Sequence, residues 1–452
     1  MTPAAPAAAT AVERLAQASM VLREPSVWHE RAALHLLDWL GCAASGAVSP
    51  QGLGFGRWLA LQAPGPCATL AGRRADAAAA AAYHGALGSA LEMDDIHRSS
   101  ILHPGPVVIP AAWAAAGPHA SGARLLGAIG AGYEVMIRVG RALGPSHYRM
   151  WHTTATAGSF GAAAAAAAML GLDAQATAQA LALAGTRAGG LWQVRHESSL
   201  GKSWHMAGAA RDGLAAAQLA AAGLTGPLGI LDGPSGWFAA TAPAADASLI
   251  DQARAEPWLA DVSFKPWPAC RHAHPAIDAL QEACSGLRVD TAMIERIEVR
   301  TYTDALRFCD CVDPVDSTQA RFSIQHALAA WLLWGAPRLE HYAVDALRGE
   351  AIRALRSRVA LRADSGFDAH YPAHYGAQVI VGLNDGSCLQ ATLRDTRGDP
   401  ARPLPVSALR EKARMLMDAG GWPAARIEAA FAACAGLPAS ADLRALDAVI
   451  AA

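Results

Sequence analysis

From Ala11 to Gly223 the chain reads as one helix after another, and several of these helices are apolar almost all the way round. The alanine-rich segment Ala77 to Leu91 and the run Ala155 to Ala168 carry no polar stripe that could face water. A helix of that kind has to be enclosed by other helices. This feature demands a multilayered helical domain with buried central helices. Gly, Pro and Asp punctuation divides the region into helices over Thr10 to Met20, Ser26 to Ala44, Gly52 to Gln62, Asp76 to Leu91, Val107 to Ala116, Ser121 to Leu143, Thr156 to Leu170, Ala174 to Ala188 and Lys202 to Ala222. Gly171-Leu172-Asp173 is a helix stop followed by a new N-cap.

The texture changes after Pro227. Gly233 to Pro257 is turn-rich, Phe264 to His274 is dense in Pro, Trp, Cys and His, and a helix is expected from Pro275 to Ser285. Ile294 to Thr301 alternates apolar and polar residues as a half-buried strand does. Ala377 to Leu383 and Ser387 to Leu393 flank Asn384-Asp385-Gly386, a hairpin signal, because Asn and Gly accept the positive φ of a tight turn. Pro-rich Asp399 to Pro405 then leads back to helices. The expected organisation is mainly α: an all-helical domain over residues 1–258, completed by C-terminal helices over 402–452, plus a smaller α+β domain over 259–401.

Composition removes several classes of function. With 53% apolar and 17% charged residues in 452, the chain is globular rather than disordered. A formal charge of -2 with interspersed signs leaves no basic stripe for nucleic acid and no polybasic flank for a membrane surface. The apolar runs are broken before they reach the roughly 20 residues a membrane span needs. Met1 to Thr10, Ala- and Pro-rich, reads as a frayed terminus rather than a signal peptide. Eight cysteines without CxxC spacing read as reduced thiols of a cytoplasmic protein.

Four polar islands interrupt the apolar pattern. The first, Met93 to Gly105, places Asp94, Asp95, His97, Arg98 and His103 between two helical segments and closes on Pro-Gly. Asp, His and Arg together can hold an anion and move a proton near neutral pH; the alternative is a solvated loop. The second runs from Ser146 to Thr154, with Tyr148 and His152 as candidate acid/base groups and Thr154 or Thr156 as N-cap of the next helix. The third, Lys202-Ser203-Trp204-His205, opens a helix. The fourth, Phe264 to Pro275, holds Lys265, Cys270, His272 and His274 in a proline-stiffened loop.

Lysine stands only at Lys202, Lys265 and Lys412 among the 37 basic residues. Where arginine has replaced lysine almost everywhere, a surviving lysine is a candidate for chemistry that arginine cannot do, since a buried lysine can lose its proton and arginine cannot. Two of the three fall in polar islands. Lys412, in a charged helix over Leu409 to Met417, fits drift. The histidines and aspartates of the first and fourth islands could serve a metal, but they form no HExxH or other compact ligand set, and the expected metal complement is none. Neither GxGxxG after a strand nor GxxxxGK[ST] occurs, so no nucleotide cofactor has local support.

Taken together, the islands resemble those of the MmgE/PrpD family, which includes 2-methylcitrate dehydratase, iminodisuccinate epimerase and cis-aconitate decarboxylase. The resemblance rests on Met93 to Gly105 ending His-Pro-Gly, His147 to Thr156 running into an Ala-rich helix, Lys202 to Gly213, Gly223 to Pro227 with Leu231-Asp232-Gly233, Phe264 to Ala279, and Gly398-Asp399-Pro400. It implies a helical domain capped by an α+β lid, a homodimer, and an active site in the crevice between the domains that uses no cofactor. It also implies small di- or tricarboxylate substrates, broken at a C–H or C–C bond beside a carboxylate. By position, Asp94 or Asp95, His103, His152, Lys202 and Lys265 match polar residues of the family pocket, and Tyr148 with Lys265 resembles the epimerase acid/base pair. Where the decarboxylase carries a histidine five residues after its lysine, this chain has Cys270, which counts against decarboxylation.

The reaction expected on this basis is abstraction of a proton α to a carboxylate by a neutral Lys265. Lys202, Arg98 and helix N-termini would clamp the substrate carboxylates, and Tyr148 or His152 would stand opposite. A hydro-lyase similar to 2-methylcitrate dehydratase comes first. An epimerase using Tyr148 and Lys265 is the alternative, and a decarboxylase or an inactive binding protein comes after these.

Overall fold

A computed structural model describes residues 8–24, 26–117, 119–197, 199–284 and 289–452. Most of the expected frayed terminus and Ser285, the expected end of one helix, lie outside the described residues. The chain divides into two compact units: Met1–Ala90, Ser100–Asp261 and Arg410–Ala452 form the first, and Leu91–Ser99 with Val262–Leu409 the second. The fold is mainly α, with a small α+β part.

The first unit is built around the helix Thr153–Leu170, buried at every position from Thr153 to Met169. Its neighbours include Gly122–Tyr148 and Gly201–Ala221. The alanine run bars water from this helix and also lets other helices come close. At Gly213 a Cβ would lie 2.5 Å from the Ala162 methyl and 2.6 Å from the Ser159 carbonyl oxygen, so glycine is required for that approach. The expected helix end at Leu143 corresponds to a kink at Gly144 (φ 65°, ψ -170°), after which one more turn carries His147 and Tyr148.

The second unit holds a four-stranded sheet in the order Val359–Ala363, Ile294–Thr301, Ala377–Leu383, Cys388–Leu393. The first pair is parallel, with Ile297 opposite Val359, and the other two are antiparallel. Ile294, Ile297 and Val299 face a core shared with Ile277 and Leu280 of the helix His274–Cys284 and with Ile324 and Leu328 of the helix Ile324–Trp334. Within the same unit, the two-residue strands Ile96–His97 and Val262–Ser263 pair antiparallel.

Of the two readings open for the segment from Met93, the solvated loop is excluded: Asp94, Asp95 and His97 are buried, and Ile96–His97 is a strand. Two expectations are corrected. Neither Thr154 nor Thr156 caps the helix Thr153–Leu170, whose N-cap is His152 without a side-chain bond. Thr154 Oγ1 accepts instead from the His103 backbone N–H at 3.1 Å, and Thr156 Oγ1 bonds His147 Nε2 at 2.8 Å. Lys412 is not a drifting surface charge either: it forms a buried ion pair with Asp38 at 2.6 Å.

Candidate active site

In the second unit, Lys265 follows the short strand Val262–Ser263 and has 0% of its surface exposed. Its ammonium donates to the Glu92 carbonyl oxygen, Glu92 Oε2 and Asp94 Oδ1, each at 3.3 Å. Burial by itself favours the neutral amine. The Asp94 and Glu92 carboxylates outweigh it, and the Lys265 ammonium is held more firmly than in water. The neutral lysine expected from the sequence is therefore opposed by its surroundings. Glu92 also feels the charge of buried Arg321, so two cations and two carboxylates share this interior. The backbone at Glu92 has φ 55°, an uncommon value for a residue with a side chain.

The remaining residues of this unit are engaged around that cluster. Arg98 faces Asp395 at 3.3 Å and Asp399 at 3.8 Å, and Asp395 also meets His374 Nδ1 at 2.7 Å. Arg98 thus already has carboxylate partners of its own. His272 Nδ1 lies 2.8 Å from the Tyr302 hydroxyl, and its ring stacks on Phe308 and Tyr375. His274 bonds the Ala269 carbonyl oxygen through Nε2 and Arg271 through Nδ1, both inside the loop that carries it. Asp399 accepts from Arg271 and from Ser263 Oγ, two residues before Lys265. Asp278 accepts from Trp267 Nε1 at 2.9 Å and from the Arg397 backbone N–H at 2.6 Å. Cys270 is buried in the same core.

In the first unit the turn between the helices Gly122–Tyr148 and Thr153–Leu170 gathers the second and third islands. His152 Nδ1 lies 3.2 Å from His205 Nδ1, and its ring centroid is 4.4 Å from that of Trp192. The Tyr148 ring meets Trp192 edge-on at 5.5 Å. His205 sits one turn after Lys202 on the helix Gly201–Ala221. Burial lowers the pKa of both His205 and His147, the latter to about 4 although its bond toward Thr241 opposes the shift. His147, locked between Thr156 and Thr241, is a structural hydrogen-bond centre. His103 is buried, with its backbone fixed by Thr154.

Sequence reasoning missed Glu92, His205 as the partner of His152, and the carboxylates Asp278 and Asp399 that hold the Lys265 loop. Glu92 abuts the first island and His205 lies inside the third, so proximity could have drawn attention to both. Asp278 and Asp399 carry no local signal. Among the described residues no group of three or more His, Cys, Asp or Glu is arranged to hold a metal ion, and no helix is long and apolar enough to cross a membrane.

Comparison with known proteins identifies the family. The family model for the MmgE/PrpD N-terminal domain matches residues 13–250, and that for the MmgE/PrpD C-terminal domain matches residues 267–435. The cis-aconitate decarboxylase-like protein oryM of Aspergillus oryzae is 28% identical over 417 residues, 86% of either chain. A cis-aconitate decarboxylase of Aspergillus terreus is 25% identical over 420 residues, 87% of this chain and 85% of the relative. The Homo sapiens cis-aconitate decarboxylase is 27% identical over 356 residues, 74% and 71% of the two chains. With both domain models matched in order across most of its length, the chain belongs to the MmgE/PrpD family.

Proposed function

We propose that the chain is a lyase of small polycarboxylates that works through a carbanion and uses side chains alone as acids and bases. The observation that carries this reading is the buried Lys265 ammonium between Glu92 and Asp94. An ammonium held in its charged form is a poor base. Its charge suits it to stabilise an enediolate, and although a firmly held proton makes a weaker acid, an enediolate is basic enough to take that proton. Loss of carbon dioxide needs such a group: the C–C bond breaks, its electron pair delocalises into the neighbouring carboxylate, and a proton from the enzyme closes the new C–H bond. The names of the matched relatives support the same reaction, with cis-aconitate as the first substrate to try.

Within the helical unit, the roles proposed are proton transfer for His152 and carboxylate binding for Lys202. Dehydration is the second reading. It is favoured by Cys270, which stands where the resemblance to decarboxylases calls for histidine. In a dehydration His152 rather than Lys265 would take the α-proton.

The test is proton NMR in deuterated water with cis-aconitate, citrate, 2-methylcitrate and iminodisuccinate. Decarboxylation gives a product one carboxylate shorter that carries one solvent deuteron. Dehydration of citrate or 2-methylcitrate supports the second reading, and exchange at an α-position without net product supports epimerisation. Lys265→Arg keeps the charge but cannot deliver a proton, so it should fold and lose turnover. A folded Arg variant with near-normal turnover would exclude Lys265 as proton donor.

A further inference from the structure

We infer that His205 is a positioning residue for His152: it accepts a hydrogen bond from His152 Nδ1–H and so leaves His152 Nε2 as the atom that exchanges protons with substrate. This rests on the role given to His152 above. The two Nδ1 atoms are 3.2 Å apart, within hydrogen-bond distance. Two neutral imidazoles can share such a contact only if one brings a hydrogen and the other a lone pair.

The surroundings are built for the pairing. The His152 backbone N–H donates to the Gly190 carbonyl oxygen at 2.9 Å, tying the histidine to the segment that lies against His205. Gly190 has φ 126°, and a Cβ there would press on Ala155 at 2.9 Å and on His205 Cγ and Nδ1 at 3.2 Å. Glycine is what lets the segment Gly190 to Trp192 and the His205 ring occupy this space together. Trp192, whose backbone N–H donates to the Met150 carbonyl oxygen at 2.9 Å, packs its ring on His152. Both rings are fixed, one by the loop before the helix Thr153–Leu170 and one by the helix Gly201–Ala221.

The direction of the shared bond follows from what His152 has to do. With His205 as acceptor, His152 can be neutral with its lone pair on Nε2, or imidazolium with protons on both nitrogens, and the contact with His205 is the same in each state. A proton can then arrive at and leave Nε2 without any ring turning. With His205 as donor, neutral His152 would already carry its hydrogen on Nε2, which then has no lone pair to take a proton from substrate, and the His152–His205 bond would have to break before Nδ1 could be protonated. Burial keeps His205 neutral, which suits an acceptor.

The direct test is nitrogen-15 NMR of the intact protein labelled at histidine, with His152 assigned by loss of its signals in His152→Asn. At pH 8 the expected pattern is a protonated Nδ1 and a bare Nε2 on His152, changing to the opposite tautomer in His205→Leu. A bare Nδ1 on His152 in the unaltered protein overturns the inference whatever the activity. On the substrate that the NMR assay identifies, His205→Leu should lower kcat by about 10²-fold or more with KM nearly unchanged, as loss of a tautomer-fixing partner does elsewhere. His205→Asn, whose Oδ1 can stand close to the lost Nδ1 and accept the same hydrogen, should recover at least about tenfold of that loss. In a His152→Asn background His205→Leu should change kcat little; a full additional loss there would mean that His205 acts on its own and would refute the positioning role. If His152→Asn alone leaves turnover intact, the proposed function loses His152, and the tautomer measurement still decides the pairing.

Discussion

Replacing Lys265 by methionine tests whether its charge balances the interior of the second unit. The substitution keeps length and most of the apolar volume but removes a cation that stands 3.3 Å from each of two buried carboxylates. At an effective dielectric of about 20, each contact is worth roughly 5 kcal/mol of gross attraction. Desolvation of the ammonium offsets much of this, and removing one partner of a buried ion pair typically costs about 3–5 kcal/mol net. The cost should depend on pH. Without Lys265, Glu92 or Asp94 can relieve the imbalance by binding a proton, so one carboxyl acquires a folded-state pKa above its unfolded value. A raised carboxyl pKa means that the native state binds the extra proton, so the variant regains stability as pH falls below that pKa, at about 1.4 kcal/mol per pH unit. Urea unfolding of both proteins at pH 8, 7 and 6 provides the measurement. The wild-type advantage should be largest at pH 8 and shrink toward pH 6. A difference below about 1 kcal/mol at pH 8 that does not vary with pH would refute the charge-balance argument.

Further expectations concern the first unit and acid stability. Burial pushes His84 down to about 3 and His147 and His326 down to about 4. The unfolded chain therefore takes up protons below about pH 6.5 that the folded chain refuses, so stability is full above that pH and falls as the medium is acidified toward pH 4, by roughly 2 kcal/mol per histidine at pH 5. Denaturant titrations at pH 7 and 5 would show it, and replacing His84 by Gln should reduce the slope. Lys412→Met should destabilise the fold by about 3–5 kcal/mol by leaving Asp38 buried without its lysine, and adding Asp38→Asn should restore much of the loss. Gly213→Ala puts a methyl 2.5 Å from Ala162 Cβ and 2.6 Å from the Ser159 oxygen, and should cost about 1–3 kcal/mol or more in thermal unfolding.

Local pattern carried the helical unit well: the expected helices Thr10 to Met20 and Lys202 to Ala222 correspond to Ala11–Val21 and Gly201–Ala221, because Asp, Ser, Gly and Pro mark helix ends within a few residues of where they act. The hairpin was legible for the same reason, since Asn384-Asp385-Gly386 joins strands observed at Ala377–Leu383 and Cys388–Leu393. The strand Val359–Ala363 was not, because it pairs in parallel with residues some sixty positions away and its own alternation is short. In the site, lysine scarcity singles out Lys202 and Lys265 but says nothing of the surroundings that favour the charged form of Lys265. Those are Asp94 and Glu92, 171 and 173 positions distant in the chain, and no local spacing encodes such neighbours. The same holds for His205, whose ring reaches His152 only because the helices Thr153–Leu170 and Gly201–Ala221 pack side by side.

The alanine run of the helix Thr153–Leu170 bears on how an enzyme of this kind can change. An alanine has one side-chain state, so a core made of alanines has no alternative rotamers into which an inserted or altered group could be absorbed. From Ala162 to Ala168 almost any replacement adds volume where backbones are already in contact. The helix that begins at His152 is thus a platform with a single setting. New substrates would have to be accommodated by the polar residues at its N-terminal end, while the platform itself stays as it is.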